Sequence, residues 1–262
     1  MHKGIILAGG LATRLYPCTK VISKHLLPIY DKPMIFYSLS TLMLSGVKDI
    51  LIITDRNNVQ NYKKLLGYGN SYGVKIDYEV QNKPEGIAQA FLIGEKFIKN
   101  ESCTLILGDN FFYGHDLSRK IKRTSNSGAK IFLHPVKNPE KYGVAKNKKK
   151  KIIKIIEKPK KYISNLVVTG LYHYDKNVVK YCKLLKKSNR NEYEITDLNN
   201  IYLKNNKLKY EILGRGYTWL DAGSFDDLLD VSLFVRTIQH RQGNLIGKPE
   251  EVAINQRLIS KK

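Results

Sequence analysis

Long apolar runs are missing from this chain. No stretch approaches the ~20 residues that a membrane span needs. The run from Ile5 to Gly10 is too short and too glycine-rich for the core of a secretory signal, and no small-residue cleavage site follows it. The expectation is a cytoplasmic protein with no membrane partner. Cysteine is scarce: Cys18, Cys103 and Cys182 are scattered, odd in number and never at metal-ligand spacing. That argues against a disulfide framework and for reduced, buried thiols. Acidic residues are outnumbered, 23 Asp and Glu against 45 Lys and Arg, for a net charge of +22. So basic a chain invites a nucleic-acid partner. Its lysines, however, are dispersed among Asn and Ile, with one dense run from Lys146 to Lys151. The run lies between two segments that read as strands, so it reads as a solvated hairpin tip, with a substrate funnel as the alternative. No nucleic acid is expected. Disorder is also unexpected, because 42% of the residues are hydrophobic, with 17 Tyr and 8 Phe.

What is present is an alternation. Ile5-Ile6-Leu7, Ile50-Leu51-Ile52-Ile53, Ile76 to Val80 and Cys103 to Leu107 read as strands. Between them, Met34 to Leu44, Gln60 to Leu66 and Ile87 to Ile98 read as helices, the first ending at Gly46. Continuous apolar strands separated by helices predict an α/β fold: a Rossmann-like, mostly parallel central sheet flanked by helices. The second half changes character. Segments 131–136, 142–145, 152–156 and 167–174 read as strands that extend the same sheet and add a small β-rich region. Helices are expected at 177–186 and from Glu194 onward. No internal repeat or linker divides the chain, so residues 1–262 read as one domain.

Three constellations suggest chemistry. The first is Gly9-Gly10-Leu11-Ala12-Thr13-Arg14, which follows a strand and precedes Ser23-Lys24. It is neither a Walker A loop nor a dinucleotide fingerprint. Glycines let backbone N–H groups approach phosphate; Arg14 forks onto its oxygens and Lys24 adds a point charge. The second is a pair of aspartates that close apolar stretches, Asp109 after Leu105-Ile106-Leu107-Gly108 and Asp221 after Trp219-Leu220. Two such carboxylates can hold Mg²⁺ against a triphosphate; an Asx-turn or helix cap is the alternative for either one. The third is polar. In Gln81 to Gly86, an amide can read a base edge and a glycine admits close approach, with a plain loop an equally good reading without the other motifs. In Glu157-Lys158-Pro159, a carboxylate accepts sugar hydroxyls and a lysine meets a sugar phosphate, or the two form a surface ion pair.

These motifs occur in one order with Leu26 to Met34, Gly108 to Asp116, Val168 to Tyr172, Glu194-Ile195-Thr196-Asp197, Gly214 to Asp221 and Arg241-Gln242-Gly243. Together they resemble the sugar-1-phosphate nucleotidyltransferases from Lys3 to about Arg257, and most closely the branch that uses dTTP and glucose 1-phosphate. The resemblance implies the nucleotide-diphospho-sugar transferase fold. Residues 1–115 would be mainly nucleotide-binding, 116–230 mainly sugar- and metal-binding, and 231–262 a shortened C-terminal helical assembly segment. It implies a Mg²⁺-dependent in-line attack that yields dTDP-glucose and pyrophosphate, a first step toward dTDP-deoxysugars of the dTDP-rhamnose type and surface glycans such as O-antigen.

The same resemblance assigns roles. Arg14, Lys24 and Lys158 would act on phosphates, and Asp109 and Asp221 would hold the metal. Gly9, Gly10 and Thr13 would cradle the nucleotide. Gln81 and Gly86 would read the base. Gly143, Glu157 and Val168 would line the sugar site. Leu7, Pro84, Gly108, Asn110, Tyr142, Tyr172 and Trp219 would complete the substrate-binding set. It further implies a homo-oligomer, dimer or tetramer. His115 and His134 are expected to be structural.

Four departures accompany it. Leu11-Ala12 stands where the family carries a small residue and a glycine, and Ala12 disfavours a positive φ. His25 stands where Gln is usual, and Ser38 where Pro is common. Long-form members extend by roughly thirty more residues, about two to three times a typical helix, which bears on assembly and feedback. A UTP-using or other sugar-1-phosphate enzyme, or a weakly catalytic nucleotide-sugar sensor, stays open as an alternative.

Overall fold

The computed structural model describes residues 2–122, 127–148 and 151–260. Its first half supplies β1 (His2–Ala8), the short ribbon β2 (Pro28–Ile29) and β3 (Lys32–Pro33), α1 (Ile35–Leu44), β4 (Asp49–Thr54), α2 (Val59–Leu66), β5 (Lys75–Val80), α3 (Gln89–Ile93), α4 (Glu95–Ile98), β6 (Ser102–Leu107) and β7 (Asn110–Gly114). The second half supplies α5 (Leu117–Ile121), β8 (Ala129–Pro135), β9 (Gly143–Lys148), β10 (Lys151–Glu157), β11 (Leu166–Tyr174), α6 (Val178–Cys182), α7 (Ile195–Lys204), β12 (Leu208–Ile212), β13 (Tyr217–Asp221), α8 (Phe225–Gln242) and α9 (Pro249–Asn255).

One nine-stranded sheet organises these elements. Strands β6-β1-β4-β5 are parallel neighbours. Their sequences are apolar at consecutive positions because both faces are covered. Ile6, Ile50 and Ile52 pack to one side with Leu39 and Leu42 of α1; Ile5, Leu51 and Ile53 pack to the other with Phe91 and Ile98. The second half joins through β11, which pairs antiparallel with β6, β8 and β9. The β-rich extension is therefore present, and it enters against the direction of the parallel core.

Two expected helices differ. The helix at 87–98 is interrupted at Gly94 into α3 and α4. A side chain there would press on Ile5 and Leu51, so close helix–sheet packing holds a glycine where helix propensity is weakest. The helix at 177–186 shrinks to α6, five residues long. The thiols differ too: Cys103 and Cys182 are buried, but Cys18 is exposed. Strands β9 and β10 form the Lys-rich hairpin; Lys149 and Lys150 at its tip lie outside the described residues. No helix among the described residues is long and apolar enough to cross a membrane.

The C-terminal region carries α8 and α9. Helix α8 has legible ends. Ser224 Oγ accepts the Asp227 N–H at 3.2 Å, Asp226 and Asp227 sit in the first turn, and His240 and Arg241 in the last. Gly243 ends it at φ 68°.

Candidate active site

The C-terminal ends of the parallel strands share one edge, where open α/β sheets bind ligands. Hydrogen bonds stitch that edge together. The Thr54 hydroxyl donates to the Ala8 carbonyl at 3.0 Å, Gln81 N–H to the Thr54 carbonyl at 2.8 Å, and Gly108 N–H to the Leu7 carbonyl at 2.9 Å. The loops after β1, β4, β5 and β6 thus open onto common space.

One cleft of about 490 Å³ is lined by Gly10, Leu11, Ala12, Lys20, Lys24, Asp55, Arg56, Gln81, Asn82 and Pro84, among others. Gly10 takes φ 103° and Ala12 takes φ 47°, ψ 40°. The loop keeps a left-handed turn despite the alanine, held by the Thr19 hydroxyl donating to the Ala12 carbonyl at 2.8 Å. Left-handed backbone costs a Cβ-bearing residue about 1–2 kcal/mol. Ala12→Gly is therefore expected to raise stability by about 0.5–1 kcal/mol after glycine's own entropy cost, seen as a higher Tm by calorimetry; a lower Tm refutes the strain.

Gln81 is buried, and its amide orientation is fixed. Its Nε2 donates to Gln89 Oε1 at 2.7 Å, which leaves its own Oε1 facing Gly9. Gly86, at φ 101°, lies against the Tyr193 backbone, where any side chain would collide.

A second cleft of about 180 Å³ is lined by Asp109, Asn110, Tyr142, Gly143, Glu157, Lys158, Val168, Tyr172, Arg190, Thr196, Trp219 and Asp221, among others. Thr196 Oγ1 donates to Glu157 Oε2 at 2.5 Å, and Tyr142 Oη to Asp221 Oδ1 at 2.7 Å. The clefts meet at one ion pair: Lys24 lines the first, Asp109 the second, and Nζ lies 2.5 Å from Oδ2. Lys24 is placed from behind. Ser23 N–H donates to Asn58 Oδ1 at 3.0 Å, and the Ser23 and Tyr62 hydroxyls bond at 2.8 Å.

The two aspartates are electrostatically opposed. Burial would raise the Asp109 carboxyl, but attraction to Lys24 and hydrogen bonds from Lys24 and Asn110 bring it down to about 2. Asp221 is raised, first by burial and further by repulsion from Asp109 and Asp227, against the Tyr142 hydrogen bond. Two converging hard-oxygen donors that repel each other fit a divalent cation. No cluster of three acidic, His or Cys ligands exists among the described residues. Mg²⁺ requires only one or two carboxylates when phosphates and waters complete its shell, so this donor set fits it.

Of the residues singled out in the sequence, the structure brings Asp109, Asn110, Tyr142, Gly143, Glu157, Lys158, Val168, Tyr172, Trp219 and Asp221 into one cleft, and Gly10, Lys24, Gln81 and Pro84 into the other. Leu7, Gly9, Thr13, Gly86 and Gly108 lie outside both linings, Leu7, Gly9 and Gly108 at the stitched edge. Arg14 reaches across to Gly223, two residues past Asp221. Sequence reasoning missed Arg190, Thr196 and Arg56. Arg190 bonds Glu194 at 2.8 Å and reaches Glu157 at 3.4 Å; its only sequence signal is its place four residues before the Glu-Ile-Thr-Asp motif. Ser38 donates to the Gly108 carbonyl at 2.9 Å. His134 hydrogen-bonds the Leu213 carbonyl at 2.7 Å, and His115 lies on the surface.

This chain belongs to the nucleotidyl transferase family, whose model matches residues 3–238. Relatives that match it over nearly its whole length include glucose-1-phosphate thymidylyltransferases. That of Neisseria meningitidis is 49% identical over 254 residues, 96% of this chain and 88% of the relative. That of Mycolicibacterium smegmatis is 51% identical over 253 residues, with the same coverage. Among solved structures, a Bacillus anthracis protein described as a glucose-1-phosphate thymidylyltransferase, in complex with sucrose, superposes with a TM-score of 0.84 at 44% identity, covering 90% of this chain and 96% of that one. A UDP-glucose pyrophosphorylase bound to UDP-glucose superposes with a TM-score of 0.76 at 26% identity, covering 90% and 99%.

Proposed function

We propose that this chain transfers a thymidylyl group from dTTP to glucose 1-phosphate, giving dTDP-glucose and pyrophosphate. The observation that carries the reading is the Lys24–Asp109 pair at the junction of the two clefts. A nucleotide in the Gly10–Gln81 cleft and a sugar phosphate in the Glu157–Lys158 cleft would meet there. A phosphate oxygen of the sugar phosphate bonds to the α-phosphorus, and the bond from that phosphorus to the bridging oxygen of the β-phosphate breaks. The electron pair leaves with pyrophosphate. A phosphate monoester is nucleophilic near neutral pH, so no side chain has to remove a proton.

The residues' task is to overcome repulsion between two anions and stabilise charge as it develops. Lys24 and Arg14 meet the triphosphate; Lys158 and Arg190 meet the sugar phosphate. Gly9, Gly10 and Thr13 offer backbone N–H groups. Gln81 Oε1 accepts a base N3–H while Gln89 occupies its donor, and Pro84, Gly86 and Leu7 bound the base. Glu157, Gly143 and Val168 take the sugar, flanked by Tyr142, Tyr172 and Trp219. Asp109 and Asp221 would hold Mg²⁺, which neutralises phosphate charge when bound. Gly108 and Asn110 flank the first of them. In this reading residues 1–115 serve mainly the nucleotide and 116–230 mainly the sugar and metal, in a cytoplasmic enzyme that supplies dTDP-deoxysugar synthesis.

Incubation with dTTP, glucose 1-phosphate and Mg²⁺ is expected to release pyrophosphate; release no greater than that of Asp109→Asn sinks the reading. The N3–H that Gln81 would accept is common to thymine and uracil, and one structural neighbour binds UDP-glucose. A nucleotide panel with dTTP and UTP separates the two substrates.

A homo-oligomer belongs to the same proposal, with a second copy on the outer face of α8. Phe225, Leu229 and Leu233 are exposed there. Asp226 and Asp230 flank them toward one end, and Arg236 and His240 toward the other. Antiparallel pairing about Leu233 sets each acidic half against the partner's basic half. Leu233→Asp is expected to convert the assembly to monomers in light scattering; an unchanged mass refutes this face.

A further inference from the structure

Asn110 follows Asp109 and is 3% exposed. Its side chain makes three hydrogen bonds to three different parts of the fold. Oδ1 accepts the indole N–H of Trp219 at 2.6 Å and the backbone N–H of Gly170 at 2.9 Å. Nδ2 donates to Asp109 Oδ1 at 2.9 Å. An amide carries its acceptor and donors on opposite sides. With two N–H groups aimed at the oxygen, the amide has one acceptable orientation, and its NH₂ is committed to the Asp109 carboxylate.

The surroundings are shaped for this arrangement. Gly170 lies in the stretch of β11 where its register against β8 shifts, between Val168 and Tyr172. A side chain at 170 would overlap the Asn110 carboxamide. The backbone adds a brace: Asn110 pairs with Asp221 across β7 and β13, and Ala222 N–H donates to the Asp109 carbonyl at 3.0 Å. The Trp219 ring meets Tyr142 edge-on at 5.2 Å, and Tyr142 in turn holds Asp221 Oδ1. A continuous path therefore runs from one carboxylate to the other: Asp109, Asn110, Trp219, Tyr142, Asp221.

We infer that Asn110 is a positioning residue that fixes which oxygen Asp109 presents to the metal–nucleotide complex, with Trp219 and Gly170 as the two locks on its amide. The inference rests on the proposed metal-dependent reading. It assigns to Trp219 a task separate from lining the sugar cleft: its N–H acts on Asp109 through Asn110. Trp219 is the chain's one tryptophan, so its fluorescence reports this site alone.

The test is a double-mutant cycle with Trp219→Phe, which removes the N–H and keeps an aromatic ring, and Asn110→Ala. Two quantities are read: Mn²⁺ affinity in the presence of dTTP, by electron paramagnetic resonance, and kcat and KM for glucose 1-phosphate. Outer-shell partners of metal ligands are commonly worth 10–100-fold in metal affinity. Trp219→Phe is expected to weaken Mn²⁺ binding about tenfold and to cost nothing further in the Asn110→Ala background. Wild-type fluorescence is expected to change when Mn²⁺ and dTTP bind, and Asn110→Ala to abolish that change.

Additive losses, or a Trp219→Phe protein with wild-type Mn²⁺ affinity and only a raised KM for glucose 1-phosphate, overturn the inference. If Asn110→Ala does not fold, the Mn²⁺ affinity of Trp219→Phe decides alone, at wild-type Tm. Metal binding is read without turnover. A wild-type protein that binds Mn²⁺ and dTTP but releases no pyrophosphate would therefore sink the proposed reaction while leaving this inference standing.

Discussion

Lys24→Met lowers kcat for pyrophosphate release by on the order of 10²–10³-fold, the usual loss when one preorganised charge-stabilising group is removed. The substitution keeps the length and apolar stem of the side chain and removes only the ammonium. It also harms the ligand-free protein. Asp109 is held down at about 2 by Lys24, against a burial effect that acts in the other direction. Without the lysine that partly buried carboxylate keeps its Asn110 hydrogen bond and the neighbouring His25 but loses its ion-pair partner, at a cost below the about 3–5 kcal/mol of a fully buried pair. Calorimetry should therefore show a lower Tm together with the lost rate. A kcat within tenfold of wild type would remove Lys24 from the chemistry; an unchanged Tm would remove it from the fold.

His25→Gln makes the protein more resistant to mild acid. His25 is buried against Gly108, and burial lowers it from its usual 6.5 to about 4, partly opposed by Asp109. Between pH 6.5 and 4 the unfolded chain therefore binds a proton that the folded chain refuses. The unfolded state then holds more protons, so stability rises with pH through this window and is lost as pH falls. The full span amounts to about 3 kcal/mol. Urea titrations at pH 7 and pH 4.5 measure it. The wild-type midpoint should drop much further than that of His25→Gln; equal drops would show that His25 does not carry the acid sensitivity.

The parallel half of the fold was legible because its physics is local. Ile50 to Ile53 and Leu105 to Leu107 are apolar at consecutive positions, as only a strand covered on both faces can be. The glycine turns, Lys24 and Asp109 were legible as chemistry because each closes such a strand or follows it, and Asp221 because it ends the short apolar stretch Trp219-Leu220. Strands β7, β12 and β13 were not legible as strands. Leu208–Ile212 is largely exposed, and Tyr217–Asp221 owes its conformation to pairing with Asn110–Gly114. Arg190 escaped for a different reason. It sits in an irregular segment without periodicity, and its meeting with Glu157 is a product of the tertiary fold. Ala12 shows the reverse case: sequence chemistry argued against a left-handed residue there, and the turn overrides the preference.

Strand β13 reaches the site late in the chain. Trp219 and Asn110 are 109 residues apart, and their hydrogen bond closes a long loop through the middle of the protein. Long-range pairings of this kind form slowly, because chain entropy must be overcome before the contact rewards it. During synthesis, which proceeds from the N-terminus at about 5–20 residues per second, β1, β4, β5 and β6 are all made before Asp221 is. For several seconds the nascent chain would then have Asp109 without Asp221. Placing the second aspartate on the final strand makes the carboxylate pair depend on β13, so a translation product interrupted before Asp221 would lack half of that pair.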